Sequence, residues 1–79
     1  MEEEVKKIIH DAFFIDMDKI TNDSSLKDDL EIDSLDATSL VLDIENKYNI
    51  RVSDEELINL VYVRDIIKLL EEKGVKIEG

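Results

Sequence analysis

The 79-residue sequence contains no cysteine, proline or tryptophan, one histidine and only two glycines. Without cysteine there can be no disulfide, no thiolate metal site and no thiol chemistry from the polypeptide itself. A single imidazole, His10, excludes a multi-histidine metal site. Both glycines, Gly74 and Gly79, lie at the C-terminal end, so a glycine-rich phosphate loop is impossible. A strand-rich fold would also be short of turn residues. No apolar run approaches the ~18 residues of a membrane span. The opening Met1-Glu2-Glu3-Glu4-Val5 has neither the basic nor the apolar stretch of a secretory signal, so a cytoplasmic protein without membrane insertion is expected. Basic residues are scarce: ten Lys and Arg face 21 Asp and Glu, for a net charge of −11. That balance argues against unaided binding to nucleic acid, which requires cationic clusters, and points to partners with basic surfaces.

Apolar residues nevertheless make up 43% of the chain, too many for a disordered acidic segment. Their spacing is helical. Val5, Ile8, Ile9, Ala12 and Phe13 follow an amphipathic stripe, with carboxylates in the first turn, and predict a first helix over about residues 2–14. Residues 15–33 lose that stripe and carry the turn-forming cluster Thr21-Asn22-Asp23-Ser24-Ser25. Within them, Leu26 and Leu30 are spaced to pin one helical turn onto the core. A second helix is expected from Asp33–Ser34 to about Tyr48, with Leu40, Val41, Ile44 and Tyr48 facing inward. Ser53-Asp54-Glu55-Glu56 has the pattern of a capping box and opens a short third helix with Leu57, Leu60 and Val61 on one side. Val63, Ile66, Ile67 and Leu70 define a fourth, stopped by Gly74. The predicted fold is all-α: one domain over residues 1–79, a small four-helix bundle with a long first loop and a short third helix.

No set of residues in this chain makes a credible catalyst. His10 stands beside the apolar stripe of the first helix, and neither a Gly-x-Ser-x-Gly elbow nor an orienting partner accompanies it. Asp16-Met17-Asp18 resembles the start of a calcium loop but lacks its central glycine and closing glutamate, so no metal site is expected. One stretch is different. Asp33 and Ser34 stand where the long loop becomes the second helix, whose first N–H groups lack internal partners and carry partial positive charge. A phosphate ester on Ser34 would suit that position, although either residue also makes an ordinary N-cap.

The extended pattern Asp29-Leu30-x-x-Asp33-Ser34-Leu35-Asp36-x-x-x-Leu40 closely resembles the phosphopantetheine attachment site of acyl carrier proteins. The likeness extends over nearly the whole chain, through the helix order, Tyr48 at the close of the second helix and Asp54-Glu55-Glu56 before the third. It implies a carrier without catalytic residues of its own. Ser34 would receive 4′-phosphopantetheine from coenzyme A through a separate phosphopantetheinyl transferase, with Asp33 and Leu35 flanking the attachment point. The arm's thiol would hold acyl groups as thioesters for acyl-transferring or chain-elongating enzymes of fatty-acid or polyketide-type synthesis. The second helix would be the face those basic partners read, with Asp36, Leu42, Asp43 and Glu45 as its exposed candidates, on a carrier working as a monomer. An acyl chain would be sheltered among apolar residues, for which Leu40, Ile44, Leu57, Ile58 and Ile66 are candidates.

This sequence departs from the family pattern at several points. Glu31 occupies a place where many members have glycine, and Val61-Tyr62-Val63 offers no hydroxyl to cap the fourth helix. Ser39, Asn46 and Lys47 make the second helix less acidic than is usual. A peptidyl or D-alanyl carrier with amino-acid cargo is the nearest alternative reading. An unmodified acidic helical bundle that only binds proteins is the alternative from another class.

Overall fold

A computed structural model describes residues 2–75; Met1 and residues 76–79, the two ends of the single-domain assignment, lie outside it. Helix α1 spans Glu2–Phe13, α2 Ser34–Tyr48, α3 Asp54–Ile58 and α4 Val63–Glu72. A single 3₁₀ turn, Met17–Lys19, interrupts the long first loop. Helix α1 packs against α4 and α2, and α3 leans on α2. Among the described residues there is no strand, only one isolated antiparallel bridge between Ser25 and Tyr62. The all-helical bundle expected from the apolar spacing is the fold observed.

Each helix terminates for a local reason. Asp33, not Ser34, is the N-cap of α2: its Oδ1 accepts from the Asp36 N–H at 2.8 Å. Helix α2 closes on Asn49 in the left-handed region at φ 54°, a conformation asparagine tolerates. The capping box of α3 is reciprocal, with Ser53 Oγ accepting from Glu56 N–H and Glu56 Oε1 accepting from Ser53 N–H. Helix α4 ends with Gly74 at φ 76°, its N–H donating to the Glu71 carbonyl while Val75 N–H donates to that of Leu70. Those two bonds are the crossed pair of a Schellman closure. The first N–H groups of α4 are met by loop carbonyls and not by a side-chain N-cap: Val63 donates to Ser24 at 3.1 Å and Arg64 to Asn22 at 3.0 Å. Asp65 Oδ2 accepts from the N–H groups of Val61 and Tyr62, just before the helix, at 3.0 and 2.9 Å.

The core unites α1 (Val5, Ile9), α2 (Leu40, Ile44) and α4 (Val63, Ile66, Leu70) with residues of the long loop. Ile20, Leu26, Leu30 and Ile32 are all buried, so the loop is a structural layer of the core. Fully burying one such side chain is worth about 1.5–3 kcal/mol, enough to hold irregular backbone in place. Leu26 and Leu30 do bracket a hydrogen-bonded turn: Asp29 N–H donates to the Ser25 carbonyl, and Asp29 Oδ2 accepts from Ser25 N–H. The loop is also stitched to the start of α4, through Leu26 N–H to the Val61 carbonyl and Val63 N–H to the Ser24 carbonyl. Helix α3 is shorter than its apolar spacing suggests. It stops at Ile58, leaving Leu60 and Val61 in the link to α4, and buries no residue fully.

His10 is half-buried, and its Nδ1 lies 2.8 Å from the Ile15 carbonyl. A carbonyl only accepts, so Nδ1 must carry the proton. The ring thereby ties down the turn after α1, a structural role consistent with its place beside the stripe.

Candidate functional site

Ser34 is exposed and opens α2, a helix of 15 residues. Because Asp33 supplies the capping carboxylate, the serine hydroxyl stays outside the capping bond. The Ser34 backbone is held from the other side, where Thr38 Oγ1 donates to its carbonyl at 2.9 Å. A hydroxyl is thus fixed in position but presented to solvent at the positive end of a helix dipole, where an attached anion is stabilised.

An open groove of about 380 Å³ begins at this serine. Asp33, Ser34, Ala37 and Thr38 form its α2 side, and Leu57 and Ile58 of α3 face them. Leu26, Lys27 and Ile32 of the loop and Leu60 and Val61 of the α3–α4 link complete it. Most of this lining is apolar. Ile58 is 77% exposed and Val61 47%, while Leu35 beside the serine is 81% exposed. Large apolar side chains left this open cost solvation unless something covers them.

The expected site residues divide into three groups. Asp33, Ser34 and Leu35 stand together at the head of α2, and Leu57 and Ile58 do line the groove. Leu40, Ile44 and Ile66 do not: each is 1–2% exposed and packed inside the core, because the helical spacing that makes a residue apolar cannot say which void it faces. On the second helix, Leu42 and Asp43 are exposed, whereas Asp36 is half-buried. Glu45 is not the free surface carboxylate expected. It is half-buried, and its Oε2 accepts from the Val52 N–H at 3.0 Å, anchoring the loop after α2. The groove also takes in Lys27, Ile32, Ala37 and Thr38, which the sequence pattern does not single out. The one available signal was Lys27, the sole base among the six acids of residues 23–36.

An exposed hydroxyl at a capped helix head opens onto an apolar groove, an arrangement that suits attachment of a prosthetic arm. Comparison with known proteins agrees. The family profile described as a phosphopantetheine attachment site matches residues 3–70. An acyl carrier protein of Buchnera aphidicola subsp. Acyrthosiphon pisum (strain Tuc7) is 40% identical over 76 residues, covering 96% of this chain and 95% of that protein. One from Petrotoga mobilis is 39% identical over 71 residues, covering 90% and 84%. A solved structure of a putative acyl carrier protein from Mycobacterium tuberculosis superposes with a TM-score of 0.83 at 28% identity, covering 90% of this chain and 95% of that one. The chain belongs to the phosphopantetheine-attachment family, as an acyl carrier protein. The family's cofactor is 4′-phosphopantetheine, and its members work with phosphopantetheinyl transferases and acyl-handling enzymes. Among the described residues no helix is long and apolar enough to cross a membrane.

Proposed function

We propose that this chain carries acyl groups for fatty-acid or polyketide-type synthesis, as a single cytoplasmic domain modified at Ser34. The observation that carries this reading is the Ser34 hydroxyl, exposed at the head of α2 and opening directly onto an apolar groove. In the attachment reaction the Ser34 oxygen bonds to the phosphorus that bears the pantetheine in coenzyme A. The pyrophosphate link breaks, the hydroxyl proton passes to the transferase, and adenosine 3′,5′-bisphosphate leaves. The attached arm supplies the thiol that this cysteine-free chain lacks. Asp33 holds the first turn of α2 in place, Leu35 offers an apolar contact beside the serine, and Asp36, Leu42 and Asp43 form the face for basic partner enzymes. Leu57 and Ile58 shelter aliphatic cargo, and the apolar lining favours such cargo over amino acids.

The test is intact mass after incubation with coenzyme A, magnesium and a broad-specificity phosphopantetheinyl transferase. A gain of one phosphopantetheinyl group is expected, abolished by Ser34→Ala. No gain with several such transferases, or a gain that survives Ser34→Ala, would refute the assignment.

A further inference from the structure

Lys27 lines the same groove as Ser34. It is exposed, but its backbone is fixed on both sides: Leu26 N–H donates to the Val61 carbonyl at 2.9 Å, and Asp28 N–H donates to Ser25 Oγ at 3.1 Å. It is the only base in residues 23–36, amid Asp23, Asp28, Asp29, Glu31, Asp33 and Asp36. Three other cations among the described residues are held in ion pairs. Lys6 pairs with Glu2, Arg64 with Asp23, and Lys73 with Glu56. Lys27 makes no ion pair among the described residues, despite its acidic neighbours in sequence. Asp33, which shares the groove, already has one carboxylate oxygen engaged by the Asp36 N–H.

We propose that Lys27 is a positioning residue for the prosthetic arm, its ammonium donating to the anionic phosphodiester formed on Ser34 and turning the arm into the groove. This rests on the reading of Ser34 given above. Modification adds one negative charge beside Asp33 and Asp36, on a chain already at −11. The dipole of α2 meets part of that charge, and a cation at the groove's lip meets more. A lysine suits the task because its long stem covers apolar lining while its head remains at the rim.

The experiment compares wild type, Lys27→Gln and Lys27→Arg, each converted to the holo form and verified by intact mass. The ³¹P resonance of the phosphodiester is recorded, and a nitroxide placed on the arm's thiol reports its distance from the Ile58 and Leu57 methyl groups. The ³¹P position should move in Lys27→Gln, remain near wild type in Lys27→Arg, and lose its dependence on Lys27 at high salt. Paramagnetic broadening of the Ile58 methyl should fall severalfold in Lys27→Gln and be retained in Lys27→Arg. Identical ³¹P positions and broadening in all three holo proteins would overturn the proposal. So would a Lys27 effect seen only when the arm carries a carboxylated acyl group, because the cation would then be reading cargo. Failure of modification itself, seen by mass before any spectrum, instead removes the Ser34 reading and this proposal with it.

Discussion

Replacing Glu31 by glycine should stabilise this protein, although it removes a side chain. Glu31 is exposed and has φ 56°, in the left-handed region. It cannot relax, because Leu30 and Ile32 on either side are 7% and 4% exposed within the core. The Ile32 N–H is in addition bonded to the Leu26 carbonyl at 2.7 Å. A left-handed non-glycine residue costs about 1–2 kcal/mol, while the greater freedom of glycine in the unfolded chain returns roughly 0.5–1 kcal/mol against it. The net expectation is a gain of about 0.5–1 kcal/mol, or roughly 2–8 °C in Tm for a domain of this size. Removing a carboxylate near Asp28, Asp29 and Asp33 also relieves repulsion, so Glu31→Gln serves as the charge control. Asparagine, which tolerates this backbone, should fall between them. Urea and thermal unfolding followed by circular dichroism should rank the variants Gly, Asn, Gln, Glu from most to least stable. A Glu31→Gln gain equal to that of Glu31→Gly would show that charge alone is responsible, and a Glu31→Gly loss would refute the backbone argument outright.

Two further outcomes are expected. The Tyr48 hydroxyl is buried without a hydrogen-bond partner among the described residues, and burial first, then the Glu4 carboxylate, raises its pKa above 10.0. Tyr48→Phe should therefore be neutral or stabilising by up to about 1 kcal/mol. A raised folded pKa means that the folded state holds the proton more tightly. Its contribution is complete below the unfolded value and is lost as pH rises through the folded one, so wild type should lose stability on alkaline titration where Tyr48→Phe does not. A clear drop in the unfolding midpoint of Tyr48→Phe at neutral pH would contradict this. Glu56 is held below its ordinary 4.5 by the Lys73 ammonium first and the Ser53 N–H second. Its contribution is present above the unfolded value and lost as pH falls through the folded one. In Lys73→Met an NMR titration should show the Glu56 carboxyl moving up toward 4.5, and an unmoved carboxyl would mean that the cap alone sets it.

Much of the bundle was legible because its signals are local. The stripe Val5, Ile8, Ile9 is set by helical periodicity alone, and the reciprocal bonds of Ser53 and Glu56 follow from four consecutive residues. Ser34 stood out through its surrounding pattern. The missed features depend on tertiary partners. That Ile20 and Ile32 belong to the core follows from the loop's path, and periodicity is silent where the backbone is irregular. The first N–H groups of α4 are met by the loop carbonyls of Ser24 and Asn22, so no residue type before Val63 announces them. Glu45 looked like a surface acid until the Val52 N–H was found against it. The groove was the least legible. Its wall is shared by four segments, and only the fold sorts Leu57 and Ile58 from Leu40 and Ile44.

The stitching of the long loop to the start of α4 gives the groove walls of unequal compliance. On one side Leu26 and Val61 are joined backbone to backbone, so they can part only if the Ser25–Tyr62 bridge opens. On the other, α3 is a five-residue helix that sets no fully buried side chain into the core. Beyond its chain connections it is moored by its lean on α2 and by the pair between Glu56 and Lys73. Strain from a bulkier occupant therefore falls on α3, as in a jaw with one fixed and one sprung side. Displacing α3 would enlarge the space beside Ser34 while the fully buried core of α1, α2 and α4 stays intact.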